Sequence, residues 1–111
     1  MPLQRTQTYS NPGASTTVSW NCDPSITPFE VSIACVVTGA VNYKLQYSYD
    51  TLDAPGATDA SADWFDSTDI PAGTTATKET KFTSPIARVR LVFASGTGSV
   101  KMTMLQGMSN N

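Results

Sequence analysis

Gly96-Thr97-Gly98-Ser99, with Lys101 close behind, has the composition of a loop that cradles a phosphate. Composition alone does not make such a loop. A dinucleotide fingerprint needs a third glycine and a following helix, and a P-loop needs GxxxxGK followed by Ser or Thr. In both, a helix N-terminus supplies the N–H groups and dipole that hold the anion. Neither spacing occurs here. Ala87, Val89, Leu91 and Phe93 alternate before the turn, and Val100, Met102 and Met104 alternate after it. The segment therefore reads as strand, turn, strand: a tight hairpin or bulge in which Gly96 and Gly98 take positive φ.

The other chemical candidates are acids, thiols and aromatic rings. Asp50, Asp53, Asp59, Asp63, Asp66 and Asp69 fall in a stretch without Lys or Arg. They offer oxygen ligands to Ca²⁺ or a carboxylate pair for glycoside hydrolysis, but they do not match the D-x-D-x-D-G calcium loop with its distant Glu. The plainer reading is a solvated acidic loop, with no metal and no cofactor. Cys22 and Cys35 have no histidine to serve as base, because the chain contains none. That absence removes imidazole-dependent triads and His-based metal sites. Cys35 lies among Ile33, Val36 and Val37, so both cysteines read as free, partly buried structural thiols. Tyr43, Tyr47 and Tyr49, with Trp20 and Trp64, could stack on sugar rings. Since Tyr43, Leu45, Tyr47 and Tyr49 share one strand face, they read first as core, with Tyr47 or Tyr49 able to reach a surface at the strand end.

These residues need elements to position them, and the elements are strands. The 111 residues are 40% hydrophobic and only 14% charged, with 28 Ser and Thr, a composition that suits one extended, hydroxyl-rich domain. Period-two alternation runs through Val18, Trp20 and Cys22, through Phe29, Val31, Ile33, Cys35 and Val37, and through Tyr43 to Tyr49. Gly39-Ala40 reads as a hairpin break, and Pro24, Pro28, Pro71 and Pro85 mark strand ends or edges. Residues 50–73 form the long irregular connection, flanking a short strand around Ala62–Ser67. Trp64 and Phe65 are adjacent, so they face opposite ways and only one can enter a core. Seven or eight short strands joined by turns predict an all-β, antiparallel, jelly-roll-like β-sandwich. Residues 16–109 would form the sandwich, and residues 1–15 an N-terminal arm or short edge strand.

A net charge of −2 gives no support to a nucleic-acid partner. Residues 1–16 lack an apolar run, and no 18 consecutive apolar residues occur, so no membrane partner is expected.

Three segments carry a resemblance. Tyr43–Tyr47 (YKLQY), Trp64–Asp66 (WFD) and Gly96–Gly107 (GTGSVKMTMLQG) resemble recurring elements of small β-rich proteins encoded by tailed bacteriophages. In length and pattern the chain is similar to the capsid decoration, or staple, proteins of the epsilon-fifteen type of short-tailed phage. The match covers the last two-thirds; the first 28 residues carry none. The resemblance implies a non-enzymatic structural protein, made in the host cytoplasm, on the outer capsid surface. There it would clamp major capsid protein subunits, often as a dimer. Under that reading the capsid-facing residues are expected at Arg5, Thr8, Tyr9 and Pro12 in the N-terminal segment, and at Trp64 and Phe65. The alternative is a carbohydrate- or host-surface-binding module displayed on the virion.

Overall fold

A computed structural model of the chain describes residues 3–10, 15–17, 19–22, 29–51 and 59–106. The described strands are β1 (Leu3–Ser10), β2 (Ser15–Thr16), β3 (Trp20–Asn21), β4 (Val31–Thr38), β5 (Val41–Ser48), β6 (Trp64–Asp66), β7 (Lys78–Phe82), β8 (Arg88–Gly96) and β9 (Ser99–Gln106). One turn of 3₁₀ helix, Asp59–Ser61, precedes β6. Sheet A has the order β1-β9-β4-β7, and sheet B the order β2-β8-β5-β6 with β3 also on β8. Every pairing is antiparallel.

β2 and β3 are two pieces of one strand. Thr16 faces Val92 and Trp20 faces Val89, so four steps on one strand match three on β8. The extra residue is a bulge, bridged where the Thr17 hydroxyl accepts the Leu91 N–H at 3.0 Å. This breaks the simple alternation expected across TVSWNC, and Ser19 is buried beside Trp20. With β2 and β3 merged, the chain is an eight-strand antiparallel sandwich. First pairs with last (β1–β9), second with seventh (β2 and β3 on β8), third with sixth (β4–β7) and fourth with fifth (β5–β6). A long hairpin rolled on itself has this pattern, and it is the jelly roll.

The core lies between the sheets and follows the alternation. Val31, Ile33 and Cys35 of β4, Val41, Tyr43 and Leu45 of β5, Val89, Leu91 and Phe93 of β8, and Val100, Met102 and Met104 of β9 are all buried. Trp20, Ile70 and Ile86 close its ends. The tyrosine face is only half core: Tyr43 is buried, Tyr47 half-buried and Tyr49 58% exposed. Burial stops alternating at the end of β5, where Ser48 is fully buried.

The two glycine turns are not hairpins, contrary to the sequence reading. β4 and β9 lie in sheet A while β5 and β8 lie in sheet B, so Gly39-Ala40 and Thr97-Gly98 are corners that carry the chain between sheets. Thr38 pairs with Ser99 below the corners, and Val41 pairs with Gly96 above them. The corners nest against each other, with the Gly98 N–H donating to the Ala40 carbonyl at 2.8 Å. Gly96 holds a φ of 101°, whereas Gly98 is there for closeness: a Cβ on it would stand 2.5 Å from the Thr38 carbonyl oxygen. Gly73 has a φ of 89° but open space around it.

Gly98→Ala should therefore cost about 3 kcal/mol of folding stability through backbone overlap, and Gly73→Ala about 1 kcal/mol through its left-handed backbone alone. Denaturant unfolding of the two variants checks the difference; equal losses would mean that the corners can move apart freely.

Candidate functional site

Sheet A ends in β7 and sheet B in β6, and the aromatic residues gather where these two edges meet. Tyr47 of β5 packs on Phe82 of β7 with ring centroids 5.2 Å apart, linking the sheets. Phe65 stacks over Tyr47 at 5.9 Å, and Tyr49 meets both, edge-on, at 5.8 Å. Tyr47 and Phe82 are half-buried against the core, while Tyr49 and Phe65 are 58% and 47% exposed. Two large rings thus project from a fixed aromatic base. Such a patch is suited to losing water against a partner. Beside it, Asp50 accepts the Asp63 N–H at 2.7 Å, and its own N–H donates to the Ser48 hydroxyl. These bonds fix the Asp50 carboxylate against the backbone at Asp63.

Trp64 lies on the other face of β6. Its ring is covered by the Arg90 guanidinium, 4.0 Å from the ring centroid. Arg90 Nε donates to Gln46 Oε1 at 2.9 Å, Gln46 Nε2 donates to Asp66 Oδ1 at 2.9 Å, and Lys44 Nζ lies 3.2 Å from Asp66. This rail of side chains crosses three strands on the outside of sheet B. The amide of Gln46, with Lys44 beside it, holds the Asp66 carboxyl below the usual carboxylate range despite its slight burial.

The expected residues fall into three groups. Arg5 and Tyr9 face inward from β1: Arg5 lies 4.8 Å from the Trp20 ring centroid, and Tyr9 Oη accepts the Trp20 Nε1–H at 2.9 Å. They hold the buried Trp20 in place. Thr8 pairs with Lys101 and stands exposed on the outer face of sheet A. Pro12 lies outside the described residues. Trp64 belongs to the sheet B rail, and Phe65 to the aromatic rim. The rim members that sequence reasoning passed over are Phe82 and Asp50 in this role. Phe82 shares its strand parity with buried Thr80, the one signal that could have found it.

The described acids serve separate contacts. Asp50 braces the 63 turn, Asp66 joins the rail, and Asp69 accepts the Thr80 hydroxyl at 2.7 Å. Asp53 lies outside the described residues. Among the described residues, no three of Cys, Asp and Glu stand close enough to share a metal ion. Cys22 and Cys35 are free and buried. Burial pushes both thiols up to about 12, with Arg88 only partly offsetting this at Cys22, whose Sγ lies 3.8 Å from Met104 Sδ. A trough of about 500 Å³ runs over sheet A past Ser32, Ala34, Thr103 and Leu105, with Glu79 and Lys81 on its rim.

A scan against protein-family models finds no match for the chain, and a search of curated proteins finds none either.

Two outcomes follow from these environments. Both cysteines should resist a thiol reagent in the native protein at pH 8 and react together on unfolding; a fast-reacting native thiol would contradict their burial. For Asp66, whose folded pKa is lowered, the stabilising contribution is complete above the unfolded carboxylate range and fades as pH falls through the folded value. Asp66→Asn should lose that contribution at neutrality and flatten the acid limb, so that thermal unfolding of the variant and the unaltered protein converges as pH falls.

Proposed function

We propose that this chain is a structural virion protein that decorates the outside of an icosahedral bacteriophage head and stabilises it by bridging major capsid subunits. The observation that carries this reading is the exposed pair Tyr49 and Phe65, set on the fixed base of Tyr47 and Phe82. A cementing protein needs a rigid frame and a few rings that lose water on docking, and such anchors supply most of the affinity of protein interfaces. The resemblance to phage decoration proteins falls on frame elements that position this rim: YKLQY lies within β5, WFD is β6, and GTGSVKMTMLQ runs from the second corner through β9. The trough over sheet A and the exposed Thr8 provide a second, flatter surface for a neighbouring subunit. Arg5 and Tyr9 serve the function indirectly, by fixing β1 over Trp20.

A second reading is favoured by one detail. Tyr49 is an exposed ring followed in the chain by Asp50, whose carboxylate is held by the Asp63 N–H, and a ring and a held carboxylate are the groups that stack on a pyranose and accept its hydroxyl hydrogens. On that reading the rim binds a glycan.

Capsids assembled without the chain, then mixed with purified protein, separate the two. The cementing role expects added protein to raise the temperature at which particles rupture. Tyr49→Ala and Phe65→Ala should each weaken docking by about 2 kcal/mol. Unchanged particle stability would remove the cementing role. A glycan-array signal from the isolated domain, lost in the same two variants, would establish the sugar reading in its place.

A further inference from the structure

β6 has three residues and three ladder positions on β5. Phe65 turns to the rim and stacks on Tyr47, whereas Trp64 and Asp66 turn to the outside of sheet B. So short a strand has few backbone bonds to keep it from opening locally. Phe65 leaves 47% of its surface exposed, so the rim itself holds β6 only weakly.

The outer face supplies a further hold. From Asp66 the contacts run to Gln46 on β5, then to Arg90 on β8, and from Arg90 back over the Trp64 ring. They leave β6 at Asp66 and return to it at Trp64, which makes a closed circuit. Its central link is the Gln46 amide, whose Nε2 donates to Asp66 while its Oε1 accepts from Arg90, each at 2.9 Å. The two charged neighbours dictate the amide's direction. Reversed, it would set oxygen against carboxylate and N–H against guanidinium.

We infer that Gln46 is a positioning residue for the aromatic rim: its amide closes the circuit that clamps β6, and the clamp fixes Phe65 on the opposite face. This deepens the docking reading and rests on it, because Phe65 serves a partner only if the rim docks. Gln46 stands on the other side of the sheet from Phe65 and acts through it. A ring already fixed loses less freedom on docking, so the clamp raises affinity without touching the partner. Lys44, 3.2 Å from Asp66, is a side branch of the circuit.

Gln46→Glu tests the link with little change of shape. At neutrality it sets a second carboxylate against Asp66, and in acid a shared proton restores the donor. NMR of the protein alone reads the result. In the variant at neutrality, cross-relaxation between the Phe65 and Tyr47 rings should fall. Exchange of the Phe65 amide should rise about tenfold, the effect of one charge-assisted hydrogen bond, with β9 amides unchanged. At about pH 4 the variant should approach the unaltered protein. Asp50, Asp63 and Asp69 titrate in that range too, and Asp50 holds the Asp63 N–H, so the two proteins are compared at matched pH. Asp66→Ala, which opens the next link, should loosen Phe65 in the same way, and Lys44→Met should not. In capsid docking, adding Gln46→Glu to Phe65→Ala should cost nothing beyond Phe65→Ala alone. Failure of the unaltered protein to dock would remove the cementing role, and the NMR comparison would still decide the clamp. An unmoved Phe65 in Gln46→Glu at neutrality would overturn the inference, and so would equal loosening by Lys44→Met.

Discussion

Two backbone corners in contact hold this sandwich in shape. The Gly39-Ala40 and Thr97-Gly98 turns lie so close that the Gly98 N–H reaches the Ala40 carbonyl and no side chain fits between them. That one contact sets the register of both sheets at once, because Thr38–Ser99 and Val41–Gly96 are the first rungs on either side of it. From there β4 and β9 run down one sheet and β5 and β8 down the other, with their buried faces opposed. The core, the outer rail and the aromatic rim take their positions from this start.

The division of labour among the aromatic residues follows. Each tryptophan has a guanidinium over its ring, Arg5 on Trp20 and Arg90 on Trp64, each contact contributing about 0.5–1 kcal/mol near the surface. Both rings are thereby committed to holding strands in place, one at each side of the sandwich. The rings left for outside use are Tyr49 and Phe65, with Tyr47 and Phe82 stiffening them from beneath.

The faces of the long strands were legible in the sequence, because burial against a second sheet demands alternation. Val31, Ile33 and Cys35, then Leu91 and Phe93, then Met102 and Met104 all lie where period two puts them. Which strand pairs with which was not legible. A hairpin and a sheet-to-sheet corner need the same glycines and the same flanking alternation, so the GTGS turn reads alike in either case. The register shift between β2 and β3 and the irregular end of β5 at Ser48 arise from cross-strand bonds, which leave no periodic trace. For the site, adjacency made it plain that Trp64 and Phe65 must part company. Arg90 over Trp64, and Phe82 under the Tyr47 on which Phe65 stacks, come from register between strands far apart in sequence, and only the fold brings them together.

The mirror pairing also bears on how the chain reaches this state. Leu3 lies opposite Gln106, so among the described strands β1 has no partner until β9, about a hundred residues later, has been made. Closing so large a loop carries an entropy cost that no local contact offsets early, and folds dominated by distant pairings form slowly. During synthesis the paired strands become available from the middle outward. The β5–β6 pairing can form first, then β4–β7, then the split strand on β8, and the β1–β9 ladder last. β1 leaves the ribosome well before the strand it pairs with, so its ladder is the one that closes the roll.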